Sequence, residues 1–143
     1  MGRLRDGEWI AGAGAVALLV ALFLGWYSGA SAWQAFSVLD VVLALVALLT
    51  LALVLAQATR ESPSVPVALS VLTAVAGVLA TLFVLYRILN QPGPNDAVEV
   101  EAGAWIGLAA AALVAVGGAR SMRVEAIPGA ARPPIEDLPA PTP

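Results

Sequence analysis

The sequence lacks cysteine, histidine and lysine, and only 12% of its residues are charged. Without these side chains it has no imidazole base, no thiolate nucleophile, no soft metal ligand and no amine for a Schiff base. It also has no disulfide framework. Seven arginines and ten acids give a net charge of −3, which provides no basic surface for nucleic acid. We therefore expect no enzymatic activity, no catalytic, cofactor or metal site and no nucleic-acid partner.

Apolar residues, in contrast, are abundant. They make up 60% of the 143 residues, and the mean hydropathy is +0.89, whereas a soluble domain has about 45–50% apolar residues. Runs of roughly 20 apolar residues can cross a bilayer, and their backbone must then be helical. Four such runs cover residues 9–27, 38–58, 65–89 and 102–119. The predicted fold is an all-α membrane protein, a four-transmembrane-helix antiparallel bundle.

The positions of the arginines predict the orientation of this bundle. With the N-terminus inside, Arg87 is the one arginine on the outer side. The cytoplasmic side then carries Arg3, Arg5, Arg60, Arg120, Arg123 and Arg132. Because cytoplasmic segments are enriched in arginine and lysine, we expect both termini in the cytoplasm. Residues 120–143, six of them proline, are predicted to form an extended cytoplasmic tail.

The first run has a second interpretation, as a secretory signal peptide. Residues 10–24 would be its apolar region and residues 30–32, Ala-Ser-Ala, its cleavage site. The acids Asp6 and Glu8 interrupt the basic region that such a peptide needs, so the transmembrane interpretation is favoured. Cleavage would leave three spans and move the mature N-terminus outside.

Small residues recur at every fourth position in the first and fourth runs. They are Ala13, Ala17, Ala21 and Gly25, and Gly103, Gly107, Ala111 and Ala115. In lipid, helices associate largely through the close approach of such residues. An alanine-rich chain also produces rows of this kind by chance, although the Gly103-xxx-Gly107 start makes the fourth run more specific. We expect a helix-packing seam on both rows, within the bundle or between subunits.

Four polar residues near the outer face are candidates for an ion pair or a function: Asp40, Arg87, Glu99 and Glu101. An acid inside an apolar run is a functional candidate by default. However, residues 37–40 and 96–99 also have the form of a capping box. Asp40 is thus a helix cap, an ion-pair partner of Arg87, or a solute or proton site. Arg87 either forms that pair or extends to lipid phosphates.

Aromatic residues mark the predicted membrane boundaries, as is typical of membrane proteins. The interface anchors are Trp9 on the inner side and Trp26, Tyr27, Trp33, Tyr86 and Trp105 on the outer side. Residues 28–37, which contain Trp33, are predicted to form a short helix in the outer interface.

Several of these motifs together resemble a known type of protein. They are Gly7-Glu8-Trp9, Trp26-Tyr27, Trp33-x-x-Phe36-Ser37-Val38-Leu39-Asp40, Gly103-Ala104-Trp105 and Gly117-Gly118. In this combination the chain resembles small four-pass membrane proteins of unknown function from high-GC bacteria. The resemblance implies a multi-pass protein of the bacterial cell membrane, and it implies no activity.

The expected function is that of a non-enzymatic integral membrane protein, either a self-associating structural element or an accessory subunit of a membrane complex. Its partners would be membrane lipids and either further copies of the chain, as a homo-oligomer, or a larger complex. The alternative is a small oligomeric channel or solute transporter, with Asp40, Thr50 and Thr73 near the path. A lipid-modifying enzyme is disfavoured because the chain offers neither a strong base nor a metal site.

Overall fold

The computed structural model describes residues 6–36, 38–59, 67–91 and 98–125, and it is mostly helical. The described helices are α1 (Asp6–Ala21), α2 (Ala32–Ala35), α3 (Leu39–Thr59), α4 (Val67–Leu89) and α5 (Ala102–Glu125), with two short strands, β1 (Gly25–Tyr27) and β2 (Ala30–Ser31). Most of the predicted tail, residues 126–143, lies outside the described residues, as do Ser37 and Asp96 of the predicted capping boxes.

Three of the described helices are long and apolar enough to cross a membrane, and they correspond to the second, third and fourth predicted runs. The qualifying stretches are Leu39–Ala56, Ser70–Leu89 and Ala102–Arg123. Their length and composition indicate a membrane protein. α5 also continues past the predicted end of the fourth run, as far as Glu125.

The first helix ends earlier than the sequence predicted. α1 has 16 residues and ends at Ala21, whereas the predicted run continues to Tyr27. The amides of Phe23 and Leu24 bond to carbonyls three residues back, which tightens the last turn. The indole N–H of Trp26 donates to the Ala21 carbonyl at 2.6 Å and satisfies a helix-end acceptor. The chain then enters β1.

α5 is the helix around which the others pack. It lies against α1 on one side and α4 on the other, while α3 packs on α1 and touches α4 least among the neighbouring helix pairs. We call one end of this assembly the Trp26 end; it holds the end of α1, the end of α4 and the starts of α3 and α5. The opposite end, which we call the Glu8 end, holds the start of α1 and the end of α5.

The contact between α1 and α5 is a close approach of two backbones. A Cβ at Gly7 would lie 2.8 Å from the Gly117 carbonyl oxygen, and a Cβ at Gly14 would lie 2.9 Å from that of Ala110. A Cβ at Gly117 would overlap the amide of Ala11. Because real Cβ atoms do not approach other atoms this closely, only glycine fits at these positions.

The predicted small-residue rows coincide with this interface only in part. Ala21 and Ala111 are fully buried, and Gly103 and Gly107 contact the segment Gly25–Trp26. The backbone of Ala115 approaches Gly77 of α4 instead. Ala13 is exposed and Ala17 half-buried. The reason is geometric: positions four apart rotate by about 40° around an α-helix, so a row of them leaves any straight seam after two steps.

α3 and α4 present long apolar surfaces outward. The exposed residues are Val41, Leu45, Leu48, Leu49 and Leu55 of α3, and Val71, Leu72, Val75, Val78, Leu79, Leu82 and Phe83 of α4. A soluble monomer rarely exposes a contiguous apolar surface of this extent. Lipid, or another apolar partner, suits both faces.

Candidate functional site

Residues 25–36, which we call the cap, close the Trp26 end of the helices. The cap begins with an antiparallel hairpin in which Tyr27 pairs with Ala30. The two residues between them, Ser28 and Gly29, have φ angles of 44° and 84°, as expected for a two-residue type I′ turn. Gly29 adopts this left-handed conformation at little cost because it has no Cβ.

The hairpin replaces most of the helix that was predicted for residues 28–37. Of the described residues 28–36, only the four of α2 are helical. The side chain of Gln34 accepts a hydrogen bond from the Ser31 amide at 3.1 Å and caps this turn. The structure differs from the prediction because the Ser-Gly pair favours a turn over a helix.

The segment that precedes α5 lies against the hairpin. The Glu101 amide donates to the Trp26 carbonyl at 2.9 Å, and the Ser28 amide donates to the Glu99 carbonyl at 3.1 Å. The Glu101 carboxylate accepts a hydrogen bond from the Gly29 amide. Thus Glu99, through its backbone, and Glu101, through its side chain, connect the cap to the start of α5.

Trp26 is the central side chain of the cap and is fully buried. Its indole ring lies over the first turns of α5, where a Cβ at Gly107 would come within 2.7 Å of the ring atom Cζ2 and a Cβ at Gly103 within 2.9 Å of Cδ1. The Trp26 ring therefore packs directly on Gly103 and Gly107 of the same chain.

Arg87 joins α4 to the cap through aromatic contacts. Its guanidinium carbon lies 4.6 Å from the centroid of the Phe36 ring, and its backbone carbonyl accepts a hydrogen bond from the Tyr27 hydroxyl at 2.8 Å. The Phe36 ring in turn makes edge contacts with Trp26 and Tyr27. Burial raises the pKa of Tyr27, which lies in β1 outside the candidate spans, and the charge of Arg87 opposes this shift only in part. Tyr27 is therefore a neutral donor at neutral pH.

Asp40 and Arg87 both lie at the Trp26 end, but among the described residues they form no ion pair. Asp40 is 4% exposed, and its Oδ1 accepts a hydrogen bond from the Val41 amide at 2.8 Å. This contact satisfies a free amide in the first turn of α3, as a capping acid does. The Nε of Arg87 is buried without a hydrogen-bond partner in the structure.

A cleft of about 390 Å³ opens beside Arg87. It is lined by Ala35, Phe36, Leu39, Phe83, Tyr86 and Arg87. The walls are mainly apolar and aromatic, and Arg87 supplies the positive charge. The cleft lies between the end of α4 and the start of α3. These two helices are in less contact than the other neighbouring helix pairs.

No family model, curated protein or solved structure matches this chain. Its function is therefore inferred from its own residues. Of the six buried polar residues in the described part of the chain, four lie at the Glu8 end, Asp40 lies at the Trp26 end and Thr50 lies in the middle of α3.

The Glu8 end contains a buried polar cluster that the sequence did not suggest. Glu8, Ser70, Thr73 and Ser121 are all buried. They come from α1, α4 and α5 and line one cavity of about 10 Å³. A cavity of that size holds about one water molecule. Glu8 resembles an interfacial charge in the sequence, yet it shares a helix face with the buried Ala11 at i+3. That spacing is the signal that could have placed it inside.

The predicted interface anchors fall into two groups. Trp9, Trp33, Tyr86 and Trp105 are exposed on the surface of the chain, as anchors in a lipid headgroup region would be. Trp26 and Tyr27 are instead buried in the cap, because the chain turns back over the helix ends after α1. Both rings contact Phe36, and Trp26 also packs on Gly103 and Gly107 of α5.

Proposed function

We propose that this chain is a non-enzymatic integral membrane protein with four spans, which works by association, as a self-associating structural element or as an accessory subunit of a membrane complex. The observation that carries the proposal is the outward apolar surface of α3 and α4. Such a surface is unfavourable in water and favourable in a bilayer or against another membrane helix. The bacterial cell membrane is the proposed location.

Packing against α5 supports α1 as the fourth span. Gly7 of α1 faces Ser121, and Gly25, shortly after α1, faces Gly103. The part of α5 between these contacts has a length of roughly 27 Å at 1.5 Å per residue, close to the thickness of a bilayer core. A segment that accompanies α5 over this distance would cross the same thickness, even though α1 itself is short.

The arginines support an orientation with both termini in the cytoplasm. Arg120 and Arg123 are exposed near the end of α5, which belongs to the Glu8 end. Arg87 lies at the Trp26 end. We propose that the Glu8 end is cytoplasmic and that the Trp26 end, with its cap and cleft, faces outward.

The glycines bear on how the chain would associate. Gly7 of α1 and Gly117 of α5 contact each other, Gly14 lies against Ala110, and Gly103 and Gly107 contact the segment Gly25–Trp26. Since these close-approach positions are occupied within the chain, association would use the exposed faces of α3 and α4. The channel alternative gains no support from Thr50, because its hydroxyl donates to the Val46 carbonyl of its own helix at 2.8 Å.

Purification of the full chain in mild detergent, followed by native mass spectrometry, tests association. We expect a particle heavier than the 14.5 kDa chain, made of several copies or of the chain with one defined partner. A denaturing detergent is the control and should release the 14.5 kDa chain. A strictly monomeric particle in mild detergent, with no co-purifying protein, would contradict association.

A further inference from the structure

We infer that the cleft beside Arg87 is a binding site for the phosphate-bearing headgroup of an anionic membrane lipid. This inference rests on the membrane placement proposed above and does not require association. Three features support it: the unpartnered donor of Arg87, the way the guanidinium is held, and the surface onto which the cleft opens.

The first feature is a donor without an acceptor. The Nε of Arg87 is buried and has no hydrogen-bond partner in the structure. Among the described acids, Asp40 bonds to the Val41 amide and Glu101 to the Gly29 amide, and neither forms an ion pair with Arg87. A guanidinium offers five N–H donors in a fork that matches phosphate oxygens. Arg87 also lines the cleft, so an anion there would meet its guanidinium group.

The second feature is that the site is already organised before a ligand binds. The Phe36 ring stacks against the guanidinium, and the Tyr27 hydroxyl holds the backbone of Arg87. Both contacts come from the cap, so the position of the charge does not depend on a flexible side chain alone. A headgroup that binds there loses less free energy to ordering the protein.

The third feature is the direction in which the cleft opens. Phe83 and Tyr86 line it and are also exposed on α4, next to the outward apolar residues Leu79 and Leu82. Arg87 lies close to the end of α4, at the depth where headgroups meet hydrocarbon. A lipid could therefore place its phosphate on Arg87 and its acyl chains along α4. A free anion would make no contact with this apolar surface of α4.

Anionic lipids are favoured over zwitterionic ones by charge. A zwitterionic headgroup would bring a second positive charge to a cleft whose described lining residues include no carboxylate. An anionic headgroup would neutralise Arg87 without adding one. Both headgroups offer the phosphate, so the preference comes from the repulsion of the choline charge, and we expect it to be about tenfold.

Native mass spectrometry of the full chain with equal amounts of phosphatidylglycerol and phosphatidylcholine tests the inference. The wild type should retain one phosphatidylglycerol about tenfold more often than one phosphatidylcholine. Arg87→Gln should abolish this preference, and Ala35→Leu, which keeps the charge and narrows the cleft, should reduce it. Arg120→Gln removes an exposed arginine from the other end of the molecule and should leave the preference unchanged.

Three outcomes would overturn the inference. They are equal retention of the two lipids by the wild type, an unchanged preference in Arg87→Gln, and displacement of the lipid by excess inorganic phosphate, which would make the site one for a free anion. Lipid adducts are counted separately for each protein mass, so a failure of lipid selectivity is distinguishable from a failure of association.

Discussion

Replacement of Gly117 by alanine is expected to lower the free energy of unfolding by about 1–3 kcal/mol, the usual cost of overpacking. The added methyl group would overlap the amide of Ala11 and lie 2.6 Å from the carbonyl oxygen of Gly7. Both obstacles are backbone atoms, so no side-chain rotation can relieve the clash. α1 and α5 would have to separate along the most extensive contact of the structure. Thermal unfolding in mild detergent, followed by far-ultraviolet circular dichroism, measures the effect.

Gly12→Ala is the matched control for this experiment. A Cβ at Gly12 would lie 3.6 Å and 3.8 Å from the two methyl groups of Val54, which are ordinary van der Waals distances. Alanine also has a higher helix propensity than glycine, by about 1 kcal/mol. The melting temperature of Gly12→Ala should be unchanged or raised. Equal destabilisation by both substitutions would show that Gly117 has no special role.

Gly107→Leu is expected to cost about as much as the loss of a buried aromatic side chain, on the order of 3–5 kcal/mol. A Cβ at position 107 already comes within 2.7 Å of the Trp26 ring, so a leucine must expel the indole. Expulsion breaks the hydrogen bond from Trp26 to Ala21 and the edge contact with Phe36. The variant should melt at a lower temperature.

A double-mutant cycle separates this ring contact from a general effect of leucine. In a Trp26→Ala background the space above Gly107 is vacant, so the added leucine should cost much less than in the wild type. Trp105→Ala removes an exposed tryptophan of the same helix and serves as the control. It should change the melting temperature little. Additive effects of Gly107→Leu and Trp26→Ala would mean that the ring does not rest on this glycine.

The three long helices could be predicted because the signal for them is local. A run of apolar residues must form its backbone hydrogen bonds within itself in a bilayer, so length and composition are sufficient. The end of α1 could not be predicted in this way. Trp26 and Tyr27 are apolar enough to extend the run, but a tight turn and the indole hydrogen bond to Ala21 end the helix earlier.

The helix interfaces were predicted less well than the helices. Five of the seven buried residues of α1 alternate steps of four and three: Gly7, Ala11, Gly14, Leu18 and Ala21. This alternation keeps a row on one face of a helix, whereas steps of four alone do not. In α5, alternating steps of four and three that start at Gly103 reach Gly117. Gly117 faces Ala11 of α1.

The candidate site could not be assembled from the sequence because its contacts are long-range. The hydrogen bond between Gly29 and Glu101 joins residues 72 positions apart, and that between Tyr27 and Arg87 joins residues 60 positions apart. The sequence identified Arg87 and Glu101 as candidates from their charge alone. Their partners, and the cleft next to Arg87, depend on the turn at Ser28 and Gly29.

The labelling of single cysteines in intact cells tests the central claim, four spans with both ends in the cytoplasm. The chain has no cysteine of its own, so each variant carries a single reactive thiol, placed at an exposed position. The variants are Asp6→Cys, Gln34→Cys, Thr59→Cys, Glu99→Cys and Arg123→Cys. With a membrane-impermeant maleimide, we predict labelling of Gln34→Cys and Glu99→Cys in intact cells, and of the other three only after permeabilisation. Labelling of Asp6→Cys or Arg123→Cys in intact cells would contradict the account.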